Sequence, residues 1–461
     1  TITNLFYPSL SIANGSSIDL NFSPNQQIAT LSILSNSIAY NGLLLNDIEI
    51  KSENSQAFKD SIFNLFLKIG NLSGMGIDLD NLNLETNASD NKMSLNLEWF
   101  KKDTSSKGNF EFLSVFHNTD SMDFLLKNGT INSEWLGNWN WEDSAAIYYF
   151  GNSFSCSEMK VKNENQELLL QGNIGPSNND LLVISLNELN LNNVTSLFGL
   201  DHNSLNLDGV INAEIELSSL LSSTSFSSDI LVNQFKVNNL PIGDLSFSSK
   251  WDKDNNRLAF KGGLLNENRE EELVIENCYF YPENDVYNQL NGELSFNQFQ
   301  IDFIDPFLPN EILSGLKGLL TGKINLGGDF SAPLLDGKLN LTEAAIGLTE
   351  FNTEFKINGV VDVGYNNIEI INAQMFDKRK IKGSFSGFYN HNNFSDYSFN
   401  FITHFKDPFL VMNNEYEHNP NYYGDAYVTG FSNISYDTIS GLSINVNATT
   451  QKNTLLTIPL Y

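Results

Sequence analysis

The chain predicts an all-β protein, a long repetitive antiparallel sheet, and three observations carry that expectation. Apolar and polar residues alternate with period two in segment after segment, turn-forming dipeptides recur between them, and convincing helical periodicity is scarce. In Gly209 to Leu217, for example, Ile211, Ala213, Ile215 and Leu217 share one face, while Asn212, Glu214 and Glu216 take the other. The same pattern recurs at Met93, Leu95, Leu97 and Trp99, at Ile184 and Leu186, and at Phe355, Ile357, Val361 and Val363. It returns at Phe399, Phe401 and Phe405, and at Leu442, Ile444, Val446 and Ala448. Phe63, Leu65, Leu67 and Ile69 alternate in the same way, which favours a strand over a helix despite their size.

Asn-Gly and Asp-Gly supply the positive φ that tight hairpins need. They predict turns at Asn14-Gly15, Asn41-Gly42, Asn128-Gly129, Asp208-Gly209, Asn291-Gly292, Asp336-Gly337 and Asn358-Gly359. Gly262-Gly263 and Gly327-Gly328 read as turns as well. The spacing gives roughly thirty to thirty-five strands in a meander. Short helices are expected only at Asn193 to Leu200 and at Pro306 to Leu316, where apolar clusters stand beside cap-like Asn and Pro.

Those two segments open an internal repeat. With Phe198 set against Phe307, Gly209 falls opposite Gly318, Ile230 opposite Leu339 and Val237 opposite Ile346, at an offset of roughly 109 residues. A more divergent copy is expected upstream, from Trp135, Trp139 and Trp141 to Leu189 and Leu191. The division that follows is 1–195, a divergent N-terminal groove segment; 196–305 and 306–415, two repeats; and 416–461, a closing segment.

Composition narrows function. Of 461 residues, 41% are hydrophobic and 12% aromatic, with 34 Phe against 5 Trp, so the chain is not disordered and has much apolar surface to hide. The formal net charge of −29 argues against nucleic acid as a partner. Lys378, Arg379, Lys380 and Lys382 form the densest basic cluster, which reads as the decoration of a hairpin tip. Cys156 and Cys278 are too few and too far apart for a disulfide scaffold or a paired metal motif. No apolar run approaches the about 20 residues that cross a bilayer as a helix. The sequence opens at Thr1 without an initiator Met or a signal-peptide pattern, which points to a processed chain or a piece of a longer one.

No catalytic or metal constellation emerges, and no cofactor is implied. His117, His202, His391, His404 and His418 are dispersed, with His404 on a polar face. Nucleophile elbows, phosphate loops and dinucleotide fingerprints are missing. Asp78 and Asp80 have a spacing that could serve calcium or glycoside chemistry, but they fill the polar side of an alternating strand; Asp252 and Asp254 sit in a hairpin loop. The outward positions of the clearest strands are Asn, Ser, Glu and Lys, which disfavours an adhesin or polysaccharide-binding solenoid with external aromatic rows.

The long apolar face is what remains. It can be hidden in a packed sandwich, in a closed solenoid with a dry core, or in a trough whose interior holds apolar ligand, and the abundance of Phe leans toward the trough. From Leu316 onward a family resemblance adds to this. The stretch LKGLLTGKINLGGDFSAPLLDGKLNLTEAAI, with Gly318, Gly322, Gly328, Gly337 and Pro333, resembles the glycine-punctuated unit of the TamB and AsmA-like family, the translocation and assembly module proteins of bacterial envelopes. Asn421 to Gly430, Ser440 to Thr450 and Thr457 to Tyr461 resemble the entry to that family's C-terminal conserved region. The resemblance covers about Trp251 to Tyr461 and is only stylistic upstream.

It implies a tapering groove, a β-taco, that bridges inner and outer membranes and carries phospholipid or another amphiphile, without enzymatic activity. With strands about 4.8 Å apart, thirty of them would make a channel on the order of 150 Å long. It also implies an inner-membrane anchor in a missing part of the chain, a periplasmic location in a diderm bacterium, and an Omp85-type barrel as a possible partner. A second role, as a scaffold for outer-membrane protein assembly, uses the same fold. The expected lining is Ile211, Ile215 and Leu217; Leu320, Ile324 and Leu326; Leu339 and Leu341; Phe355 and Ile357; Ile381 and Phe385; and Phe399, Phe401 and Phe405.

Overall fold

A computed structural model describes residues 10–23, 28–54, 63–74, 77–101, 106–118, 120–133, 137–141, 145–176, 180–193, 206–220, 224–266, 268–282, 289–307, 313–329, 332–392 and 395–459. Among these residues lie 29 antiparallel strands and almost no helix, so the fold is all-β. The chain divides into two compact units, Thr1–Phe198 with Ile211–Phe226, and Gly199–Val210 with Ser227–Tyr461.

In the first unit most strands pair with the next, as Phe63–Gly74 does with Ile77–Ser89 through Leu67↔Leu84 and Ile69↔Leu82. Two places are split. Leu10–Ile12 and Ser17–Ser23 lie in turn along Ile28–Tyr40. Gly137–Trp141 and Ala145–Phe150 lie in turn along Ser121–Ser133, and both also pair with Ser153–Asn163. Ile48, Ile69 and Leu82 are buried on the apolar side, with Leu67, Leu97 and Trp99 packed against them. Trp99, Phe110, Phe112 and Phe124 continue that packing as a stacked row, their ring centroids 4.8 to 6.0 Å apart. The carboxylate of buried Asp180 accepts the N–H groups of Ser219 and Leu220, which fixes the end of one strand to the start of another.

In the second unit the meander runs through long strands, the longest being Ser395–Asn414 with 20 residues. Its main core joins Ile324, Leu339, Leu341, Phe355, Ile357, Val361, Met375, Phe405 and Phe409 on one face of the sheet. A smaller cluster holds Phe260, Cys278 and Leu290.

Only one of the seven predicted Asn-Gly and Asp-Gly turns is a hairpin turn, at Asn41-Gly42; Asn14-Gly15 is a turn between two strands that lie along one and the same partner, and the other five lie inside strands. The glycine serves close approach there. A Cβ on Gly129 would stand 2.9 Å from Phe110 and from Trp141, so the missing side chain makes room for two aromatic rings. Gly262-Gly263 and Gly327-Gly328 are likewise within strands and not turns. The helix expected at Pro306 to Leu316 is displaced: a 3-10 segment covers Asp302–Phe307, and Leu313–Gly328 is strand, where Leu316, Leu320 and Ile324 gain more from a sheet face than from one helical turn. Of the segment Asn193 to Leu200, residues 194–200 lie outside the described residues.

The strands bend at bulges that share one chemistry. Glu188, Gln234, Gln298, Glu343 and Asn372 all have φ between 52° and 53°, a left-handed backbone unusual for residues with side chains. Each donates its N–H to a side-chain oxygen: Asn212 Oδ1, Asp244 Oδ1, Thr321 Oγ1, Asn358 Oδ1 and Ser386 Oγ respectively, at 2.9 to 3.2 Å. The ladder shifts at four of them, between Val232/Phe235, Phe296/Phe299, Leu341/Ala344 and Ile370/Ala373. An extra residue bends and twists its strand, and the borrowed oxygen satisfies the N–H that the ladder has dropped. The devices repeat. Gly209 (φ +152°) packs against Val232 and Phe235 as Gly318 (φ +153°) packs against Ala344, one residue past the bulge residue Glu343.

Candidate functional site

The inward face of the second unit is built by register. Leu320 pairs with Leu341, Leu339 with Val361, Val361 with Ile370 and Ile357 with Met375, so the apolar residues of successive strands point to one side. Phe401 then pairs with Ile434, and Phe399 with Tyr389 and Tyr436, which carries the face onward.

Ile324, Leu339, Leu341, Phe355, Ile357 and Phe405 are buried together, with Leu320, Ile381 and Phe385 partly buried against them. Leu326 instead packs on the smaller cluster of Phe260, Cys278 and Leu290. Phe399 and Phe401 stack at 5.0 Å, and Phe401 reaches Phe385 at 5.6 Å; Phe385, Phe399 and Phe401 remain half-buried. Ile211, Ile215 and Leu217 belong to the first unit, with Ile211 buried and the other two half-buried.

One end of this face is closed by the chain itself. Alternation breaks at Lys406, Asp407 and Pro408, where the ladder between Ser395–Asn414 and Tyr423–Asp437 shifts, and the strand continues to Asn414. That extension meets the hairpin that joins Pro333–Leu348 to Thr353–Val363. Asn352 Nδ2 donates to Asn413 O at 2.9 Å, Asn414 Nδ2 to Glu350 O at 3.0 Å, and His418 Nε2 lies 2.8 Å from Thr349 O. Tyr422 donates its hydroxyl to the Glu350 carboxylate; burial, then that hydrogen bond, pushes its pKa up to about 12. Beneath the extension Phe409 is fully buried, stacked on Phe405 at 4.1 Å and close to Phe355 at 5.6 Å.

Along Ser395–Asn414 the exposure of the inward residues rises away from this clasp, from 0% at Phe409 to 45% at Tyr397 at the other end of the strand. The inward face of this strand is therefore dry at the clasp and open to water at its far end, whereas Val361 and Val363 stay buried at the far end of Thr353–Val363.

The residues singled out for chemistry take local partners. Asn71 Nδ2 donates to both Asp78 and Asp80, and Lys101 pairs with Asp78; the Lys101 hydrogen bond holds the Asp78 carboxyl below its ordinary range. Asp252 is bonded by Asn255 and Arg257, which lowers its pKa in the same way. His117 sits 2.9 Å from Asp123, His391 is buried and His404 exposed; His202 lies outside the described residues. No group of three or more His, Cys, Asp or Glu among the described residues could hold a metal ion, and no helix there is long and apolar enough to cross a membrane.

Two features escape a period-two reading. Phe409 joins the core only because three residues bulge out before it, a break for which Pro408 is the signal. The outward face is also less polar than expected, since Val360, Ile371, Phe388, Ile402 and Phe431 occupy it at between 39% and 51% exposure. These are the positions between the inward residues, where the neighbouring strands place Asn, Ser, Glu and Lys.

A search of curated proteins and a search of solved structures each return no match. The family model described as TamB, N-terminal domain, matches residues 8–341, reaching well upstream of the segment in which the sequence motifs lie. On that match the chain belongs to the TamB family, structural and transport proteins of the bacterial cell envelope.

Proposed function

We propose that the chain is a non-enzymatic segment of a bridge-like lipid transporter, and that acyl chains travel along its inward apolar face. The observation that carries this reading is the stacked, half-buried row of Phe385, Phe401, Phe399 and Tyr436, apolar surface that continues from the packed core toward water. A dry sandwich would bury such a row completely, whereas a groove that accepts hydrocarbon leaves it partly open when empty.

A phospholipid would keep its headgroup in water while its tails replace water along Phe385, Phe399 and Phe401. Each methylene transferred contributes about 0.8 kcal/mol, so a repeated lining of similar residues lets a tail move without deep traps. No side chain needs to gain or lose a proton in such a process. The remaining expected lining, Ile211, Ile215 and Leu217 and the residues from Leu320 to Phe405, belongs to the same proposal. So do an inner-membrane anchor, a periplasmic location and an Omp85-type barrel as partner.

Photo-crosslinking tests the reading residue by residue. A benzophenone amino acid in place of inward Phe401, in cells that make the protein, is expected to capture lipid, and the same probe at outward Asn400 is not. Equal capture at both positions, or none at Phe401, would reject the groove.

A further inference from the structure

The outward face of five consecutive strands, Thr353–Val363, Asn367–Phe376, Lys382–Asn392, Ser395–Asn414 and Tyr423–Asp437, is apolar where the fold needs it to be polar. Each strand contributes one exposed residue: Val360, Ile371, Phe388, Ile402 and Phe431. They adjoin by register. Val360 pairs with Ile371, Ile402 with Ser386 two places from Phe388, and Phe431 with His404 two places from Ile402. Nothing in the packing of the sheet requires them, since the inward residues of the same strands already form the core.

Lysines run beside this row toward one end of the strands. Lys356 pairs across with Phe376, and Phe376 with Lys382. Lys406 follows two residues after outward His404, whose partner Ser384 lies two after Lys382. The turn beyond them adds exposed Lys378 and Lys380. On the strands just before, Lys317, Lys323 and Lys338 each hold a carboxylate, from Glu354, Glu293 and Asp362. Lys356, Lys382 and Lys406 form no ion pair among the described residues. Acidic groups in the neighbourhood are Glu354 and Asp362, already paired, Glu369 and Asp437 toward the other end, and Asp407 in the bulge.

We propose that this outward face docks on the surface of a bilayer that carries anionic phospholipid, with the apolar row entering the headgroup boundary and the lysines meeting the phosphates. Exposed apolar side chains flanked by unpaired cations are the two components of interfacial binding, and the cations choose a negative surface over another apolar protein. The formal charge of −29 is no obstacle at physiological ionic strength, where charges beyond about 8 Å are screened and the local patch decides. The site lies on the opposite side of the sheet from the groove, so it stands whether or not the groove carries lipid.

Vesicle flotation of the 461-residue chain at physiological ionic strength tests this. The chain is expected to float with phosphatidylcholine vesicles that contain phosphatidylglycerol and not with phosphatidylcholine alone. K356E/K382E/K406E should weaken binding about hundredfold and I371D/I402D at least about tenfold, with circular dichroism unchanged because all five side chains are exposed. K92E/K107E/K261E makes the same charge change elsewhere and should bind as the native chain does. Failure of the native chain to float with the anionic vesicles, equal binding by the patch variants, or equal weakening by the control overturns the proposal. So does sedimentation showing self-association that I371D/I402D abolishes while vesicles go unbound, because a second copy would then cover the face.

Discussion

The carboxylate of Asp377, buried at 4% exposure, accepts the backbone N–H of Leu410 at 2.9 Å and so holds the start of the clasp. The same carboxylate accepts the N–H groups of Arg379 and Ile381 and pairs with the Arg379 guanidinium, which also reaches Pro408 O. One side chain thus ties a hairpin tip to the strand that closes over it. Asp377→Ala strands those donors in a buried site, and is expected to cost about 3 kcal/mol of local stability. Hydrogen exchange should show faster exchange at Leu410 and Ile381 while the strands of the first unit keep their protection, because stability in a repetitive sheet is local.

Gly318 tests the backbone device that recurs along the second unit. Its φ of +153° suits only glycine, and a Cβ there would stand 2.9 Å from Ala344. Gly318→Ala should therefore destabilise by about 2 kcal/mol in urea unfolding. Gly327→Ala, where the nearest atom would be an ordinary 3.9 Å away, should be neutral or stabilising by about 0.5 kcal/mol.

The half-buried aromatic row separates cargo binding from folding. Phe399→Asp with Phe401→Asp places charge where the inward face is open, so circular dichroism should be unchanged while affinity for a fluorescent fatty acid falls at least about tenfold. The outward neighbours Asn400→Asp and Ser398→Asp should leave that affinity intact.

Alkaline pH should loosen the clasp through Tyr422. Its pKa is raised from 10.0 to about 12 by burial and by Glu350, so the hydroxyl proton is held in the folded state and lost first from the unfolded one. The contribution of Tyr422 is fully present below pH 10.0 and declines as pH rises toward about 12. Unfolding measured as a function of pH should show a decline across that window in the native chain that is smaller in Tyr422→Phe.

Which residues face inward was legible because period two is enforced by backbone geometry: Ile324, Leu339, Phe355 and Phe405 can share a core only if their neighbours face out. Asn-Gly pairs were not decisive, since glycine serves a tight turn at Gly42 and close packing at Gly129, and the dipeptide is the same. The bulges at Gln234 and Glu343 left no local signal, as the residue that bends carries an ordinary side chain and its partner oxygen comes from another strand. Leu313 to Leu316 read as helix because a short apolar run fits either period, and pairing with Pro333–Leu348 decides it. The outward row of Val360, Ile371, Phe388, Ile402 and Phe431 departs from binary patterning, so it points to something outside the fold.

Native mass spectrometry of the purified chain, with lipid extraction alongside, measures the central claim most directly. Phospholipid retained by the native chain and lost from the variant with Asp at Phe399 and Phe401 is the predicted result. A chain that carries no lipid when purified from a membrane-containing lysate, or that retains it equally in the variant, would contradict the account.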